Sequence, residues 1–143
     1  MVELKFRRVN PLARFPERQS DGAGGYDVYA ADCKFDRREG CVVVSLGFAL
    51  EIPKGYKVTI VPRSSITRTT WLIQNSPCLV DSDYRGEIVL KFRCMDKVSD
   101  FPYAVGDRVA QLYVEEVIPI TFIETDELTE TERGTGGFGS TGR

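Results

Sequence analysis

The sequence predicts an all-β fold, a distorted jelly roll or barrel of short strands, and three observations carry that expectation. Apolar and polar residues alternate with period two in segments spread along the chain. Turn-forming residues separate those segments at short intervals, and only one stretch, 65–73, has the character of a short helix. With 143 residues, of which 42 % are hydrophobic and 28 % charged, the chain supports one domain with a genuine core and not two.

In chain order, Val2, Leu4 and Phe6 alternate with Glu3, Lys5 and Arg7, the pattern of a half-buried strand. Residues 41–52 are richer in apolar side chains and predict strand with both faces partly buried, ended by Pro53-Lys54-Gly55, which has the chemistry of a turn. Tyr56, Val58 and Ile60 then alternate with Lys57, Thr59 and Val61. The possible helix at 65–73 is weakened by Thr67, Thr69 and Thr70, whose branched side chains lower helix propensity. Ile88, Leu90 and Phe92 alternate with Val89, Lys91 and Arg93, and Val105-Gly106-Asp107 turns the chain into a last apolar-rich strand at 108–118. Composition shifts after about residue 124, first to Glu124, Asp126, Glu127, Glu130 and Glu132, then to a Gly-rich run from Arg133 to Arg143. That run has one large apolar side chain, Phe138, too little to offset its ordering entropy. A β domain at 1–124 and a flexible C-terminal lid at 125–143 are therefore expected.

Charge and composition exclude several functions. Nineteen Lys and Arg against twenty-one Asp and Glu leave a formal charge of −2, without the basic excess that a nucleic-acid backbone demands, so no nucleic-acid partner is expected. No purely apolar run exceeds four residues, Cys41 to Val44 being one, and the first residues interleave charges with apolar side chains. No membrane association is expected, and the expected location is cytoplasmic (nuclear or host-cytoplasmic for a eukaryotic or viral source). The chain has no histidine, which removes Ser-His-Asp and Cys-His nucleophile schemes and imidazole-based zinc sites. Any general base must be a carboxylate, Lys, Tyr or Cys. Cys33, Cys41, Cys78 and Cys94 form no C-x-x-C pair and are expected as free, mostly buried thiols.

Five segments could carry chemistry. Gly22-Ala23-Gly24-Gly25-Tyr26-Asp27 reads as a turn feeding a strand, with Asp27 a solvated or capping carboxylate. In Pro62-Arg63-Ser64-Ser65 a hydroxyl can cap a helix, and the same hydroxyls and guanidinium suit a phosphate. Asn75 to Glu87 is the densest segment: Asp81 and Asp83 would share a face of a regular strand and offer a base or a metal clamp, while with Ser82 and Gly86 they also suit a hairpin turn. Gln111 lies between Ala110 and Leu112, a polar side chain in an apolar run that needs a partner, structural or ligand. In the tail, Arg133, Ser140 and Thr141 offer phosphate ligands, Gly137 and Gly139 allow close backbone approach, and Phe138 suits a lid over a flat ring; a plain linker is the alternative.

In order and across nearly the whole chain, these segments resemble the five motifs of the trimeric dUTP pyrophosphatases (dUTPases). They are Ala23-Gly24-Gly25-Tyr26-Asp27-Val28-Tyr29-Ala30, Pro62-Arg63-Ser64-Ser65, Val80-Asp81-Ser82-Asp83-Tyr84-Arg85-Gly86-Glu87, Gly106-Asp107-Arg108-Val109-Ala110-Gln111-Leu112, and Arg133 through Gly142. The resemblance implies a jelly-roll homotrimer with sites at subunit interfaces. It implies cleavage of dUTP between the α and β phosphates into dUMP and pyrophosphate, which keeps uracil out of DNA and supplies dUMP for thymidylate synthesis. Asp81 matches the aspartate that deprotonates the attacking water, a task open to a carboxylate ionised at neutral pH. Tyr84 matches the tyrosine under the deoxyribose. Asn75 and the backbone around 78–81, with Cys78 and Val80, match the hairpin that pairs with uracil. Ser64, Ser65 and Gln111 match phosphate contacts, with Arg63 as supporting charge. Asp27 matches the carboxylate that holds waters of a magnesium ion (Mg²⁺) on the triphosphate. Phe138 matches the aromatic that stacks on uracil, and Arg133, Ser140 and Thr141 match γ-phosphate ligands, with Gly137 and Gly139 between them.

The chain departs from the pattern at Cys78, where the family usually has glycine, and at Leu46-Gly47, where Thr-Gly is common. A dCTP deaminase would need a glutamate ten positions beyond the hairpin aspartate, and that position is Lys91. A dUTP-sensing regulator that binds a protein partner is the reading from another class; its usual mark, an inserted segment between motifs, is lacking in these compact spacings.

Overall fold

The computed structural model describes residues 1–96 and 98–137. Its strands are β1 (Lys5–Arg8), β2 (Tyr26–Tyr29), β3 (Asp32–Asp36), β4 (Cys41–Ser45), β5 (Phe48–Glu51), β6 (Tyr56–Val61), β7 (Trp71–Ile73), β8 (Cys78–Val80), β9 (Val89–Cys94) and β10 (Arg108–Glu116). All pairings are antiparallel. Two four-stranded sheets, ordered β2-β10-β6-β8 and β3-β4-β9-β7, accompany a two-stranded β1-β5 ribbon. The all-β expectation holds, with the sheets open and not closed into a barrel.

One apolar cluster joins the sheets. Val28, Val58, Ile60, Val80 and Leu112 come from the first sheet, Val44, Trp71, Leu90 and Phe92 from the second, and Phe48 and Leu50 from the ribbon. The alternation does what period two demands: in β9, Leu90 and Phe92 are buried while Lys91 and Arg93 face outward. Segment 41–52 divides into β4 and β5 because Gly47 adopts φ +75°, and a Cβ there would lie 2.6 Å from Ala31 Cβ. The chain thereby leaves one sheet for another.

Three expectations need correction. Residues 65–73 form no α-helix: Ser64–Arg68 is a single 3₁₀ turn, closed by Thr69 N–H on Ile66 O, and Trp71–Ile73 is strand β7. Threonines and Trp71 gain more from pairing with β9 than from another helical turn. Asp81 and Asp83 lie beyond the end of β8, in a turn where Tyr84 N–H meets Asp81 O, so they do not share a strand face. Of the four cysteines, all free, only Cys41 is buried and the others are half-buried.

Beyond Glu116, residues 117–137 carry no strand, and Ile118, Ile120, Phe122 and Ile123 are each more than 70 % exposed. Among the described residues no helix is long and apolar enough to cross a membrane.

Candidate functional site

Two clusters of polar side chains flank β6, one on the β10–β2 side and one along β8. The first gathers around Asp27. Strand β2 lies beside β10 with Asp27 opposite Gln111, and Gln111 is in turn opposite Val61. A bridge to Glu17 fixes the Asp27 backbone on its other side. The Asp27 carboxylate is 7 % exposed, and two guanidiniums hold it: Arg63 Nε donates to Oδ1 at 3.0 Å and Arg108 Nη1 to Oδ2 at 3.3 Å. Arg63 also donates to the Arg108 carbonyl at 3.4 Å, and Arg108 to Gln19 Oε1 at 3.1 Å.

A bulge makes this possible. The β2–β10 register shifts between Arg108 and Ala110, so Arg108 turns to the face of Gln111 while Val109 and Ala110 are both buried. Gln111 donates to Pro62 O at 3.3 Å, the partner that its place in an apolar run required. Neither Ser64 nor Ser65 caps the 3₁₀ turn, whose N-cap is Arg63 without a side-chain bond. Two guanidiniums against one carboxylate leave the cluster with a formal charge of +1, a setting for an anion.

Neighbouring groups steady β2. Tyr29 donates its hydroxyl to Glu17 at 2.8 Å, and that bond holds the Glu17 carboxyl below the usual range. Burial and the same carboxylate push the Tyr29 phenol up.

The second cluster is a cavity of about 220 Å³ lined by Asn75, Cys78, Val80, Asp81, Tyr84 and Val89, with Leu79, Glu87 and Ile88 completing it. Asn75 is spent mainly on structure: its carboxamide donates to Val89 O at 3.1 Å and accepts from Lys91 N–H at 2.9 Å, tying the β7–β8 link to β9. Cys78 is half-buried, and burial pushes its thiol up. The Asp81 carboxylate is exposed and, among the described residues, has no hydrogen-bond or ion-pair partner. Tyr84 folds back so that its hydroxyl donates to Glu87 O at 3.0 Å. Arg85 clamps the turn through Ser82 O at 2.7 Å and Tyr84 O at 3.0 Å. Asp83 lines no part of the cavity. A larger groove of about 640 Å³ is walled by apolar residues such as Phe6, Phe15 and Leu50 and offers a triphosphate little.

Within one chain Asp81 stands apart from the Asp27 cluster. Strand β8 pairs with β6 with Val80 opposite Val58, so Asp81 stands level with Lys57. Val61, at the far end of β6, is four residues away, about 13 Å at strand rise, and Arg63 lies beyond it.

Arg133 forms a turn with Gly136, Nε donating to its carbonyl at 2.9 Å, and Gly137 is half-buried. Phe138, Gly139, Ser140 and Thr141 lie outside the described residues. Sequence reasoning gave no role to Arg108; its signal was its place in the fourth motif, and the bulge that aims it has no sequence mark. No group of three or more His, Cys, Asp or Glu able to hold a metal ion occurs among the described residues. The Asp27 oxygens keep about half of their roughly four lone-pair directions free, enough to accept from metal-bound waters but not to cage a bare ion.

The dUTPase family model matches residues 12–142. The deoxyuridine 5'-triphosphate nucleotidohydrolase of Helicobacter pylori (strain ATCC 700392 / 26695) is 38 % identical over 99 % of this chain and 97 % of its own. That of Yarrowia lipolytica is 40 % identical over 99 % of this chain and 90 % of its own. Among solved structures, the dUTPase of Staphylococcus bacteriophage 80alpha with dUPNHPP superposes with a TM-score of 0.79 at 23 % identity, covering 99 % of each chain. A dUTPase variant from phage phi11 of S. aureus, solved for its coordination of a structural Mg(II) ion, gives 0.69 at 21 % identity over 87 % of this chain and 97 % of that one. These likenesses show the shared fold.

Proposed function

This chain belongs to the dUTPase family, and we propose that it hydrolyses dUTP to dUMP and pyrophosphate in a site assembled from more than one copy of the chain. One observation carries the reading. A cavity along β8 holds an exposed carboxylate, Asp81, with no partner among the described residues, and a cationic cluster suited to phosphates stands past the other end of β6 from it.

Uracil enters between Cys78 and Val89, where the backbone of β8 offers N–H and C=O groups. Tyr84 lies under the sugar and leaves no room for a ribose 2′-hydroxyl. Asp81 takes a proton from the water that attacks the α-phosphorus. A P–O bond forms there, the bond to the bridging oxygen breaks, and pyrophosphate leaves with that oxygen. Arg63, Arg108, Gln111, Ser64 and Ser65 of a second copy hold the phosphate chain and offset its growing charge. Asp27 keeps both guanidiniums in place. Magnesium would enter as a companion of the triphosphate: Asp27 would hold it through waters, and it would offset phosphate charge. Arg133, Gly137, Phe138, Gly139, Ser140 and Thr141 close over the nucleotide, the aromatic ring on the base and the polar groups on the γ-phosphate. A homotrimer, as the resemblance implies, supplies the second copy.

The test is a panel of dUTP, UTP, dTTP and dCTP with pyrophosphate detection, in magnesium. Turnover confined to dUTP is expected. Equal turnover of UTP, or deamination of dCTP, would overturn the assignment.

A further inference from the structure

Gly86 is the residue of the 81–87 turn at which an added side chain would displace a neighbouring ring, for a reason other than backbone shape. Among the described residues the glycines with positive φ are Gly40, Gly47, Gly55, Gly106 and Gly134, and Gly86 is not one of them. Its backbone is therefore open to any residue. A Cβ at Gly86 would nevertheless lie 2.5 Å from Tyr84 Cζ and 3.0 Å from Cε2, closer than non-bonded carbons approach. The ring occupies the space that a side chain at 86 would take, and its hydroxyl donates to Glu87 O at 3.0 Å. Arg85 fixes the carbonyls of Ser82 and Tyr84, so the backbone that carries the ring cannot shift readily to make room.

We infer that Gly86 is a positioning residue for sugar selection: by having no side chain, it seats the Tyr84 ring at the height that admits deoxyribose and rejects ribose. This rests on the reading of Tyr84 as the residue under the sugar. Tyr84 is 46 % exposed, so a ring displaced by a methyl group at 86 has solvent to swing into, and the turn around it is kept. The loss is then one of discrimination, with the fold intact. Shape-based rejection of a single hydroxyl is worth about ten- to a hundredfold, which sets the size of the change to be read.

The experiment compares kcat/KM for UTP and dUTP in Tyr84→Ala, Gly86→Ala and the double variant. Gly86→Ala should raise the UTP/dUTP ratio about as far as Tyr84→Ala does, and the double variant should go no further than Tyr84→Ala alone, the non-additivity of residues that act as a unit. A raised ratio in Tyr84→Ala with an unchanged ratio in Gly86→Ala overturns the inference and leaves the sugar gate standing. An unchanged ratio in Tyr84→Ala overturns the gate itself and the inference with it. Should Gly86→Ala alone fail to fold, the double variant separates the causes: recovery of folding supports the ring clash, and continued failure overturns it.

Discussion

Replacing Asp27 with Asn removes a buried charge on which two guanidiniums converge, and the cost follows from the geometry. Hydrogen bonds to charged groups contribute about 1.5–3 kcal/mol each, and an amide keeps only part of that. The Arg63 bond, at 3.0 Å with its side chain 25 % exposed, is near the full figure. The Arg108 bond, at 3.3 Å with 42 % exposure, is discounted because water replaces it readily. An Asn amide also turns a donor toward one of the two arginines. Together these give a loss of about 2–3 kcal/mol for Asp27→Asn, well above the typical ~1 kcal/mol of an exposed pair. The assay is urea unfolding of both proteins at one subunit concentration, since oligomer stability depends on it. The slope against urea should be unchanged, and KM for dUTP should rise because both arginines lose their anchor. A loss below about 1 kcal/mol, within the range of exposed ion pairs, would refute the claim that Asp27 organises the cluster.

Asp81→Asn should keep nucleotide binding and lower kcat by about two to four decades, whereas Asp83→Asn, outside the cavity, should cost far less; single-turnover and binding assays on both variants check the pair. Because burial pushes the Cys78 thiol up, its alkylation by iodoacetamide should be slow at pH 7, speed up only above the usual thiol range, and be blocked by a non-hydrolysable dUTP analogue. Rapid alkylation at pH 7 that ignores nucleotide would place the thiol elsewhere. Deleting residues 133–143 should leave a folded protein of unchanged oligomeric state that barely turns over, read by light scattering and pyrophosphate release.

How much of this was legible beforehand differs between fold and site. Strand character was, because period two is local: Leu90 and Phe92 announce their shared face without knowledge of a partner. The Asp27 cluster was not, because its bonds join residues 36 and 81 positions apart, and the bulge at Val109 reverses the face of Arg108. Strict alternation puts Arg108 with Ala110, on the wrong side. At Asp81 and Asp83 the sequence allowed either a shared strand face or a turn, and of the two the turn is formed. Gln111 was legible as a polar residue in need of a partner, but that the partner is Pro62 O is a matter of β6–β10 register. The five motifs marked which segments matter and left open which of them meet.

That last question bears directly on assembly. Asp81 lies level with Lys57, near the start of β6, and Arg63 lies past its other end at Val61, a separation of about 13 Å or more along the strand, and the proposed site accordingly draws the two from different copies. Residues 117–123 add a second pressure toward association, because Ile118, Ile120, Phe122 and Ile123 are largely exposed, with none of the described residues over them. Complementation tests the sharing directly. Asp81→Asn and Arg63→Ala should each be nearly inactive alone. Co-refolded in equal amounts, they form mixed assemblies in which some sites draw an intact Asp81 from one variant and an intact Arg63 from the other. Random mixing makes roughly a quarter of the sites whole, so about a quarter of the wild-type rate should return. If both residues served one site from the same chain, every site would lack one of them at any mixing ratio, and no activity would return.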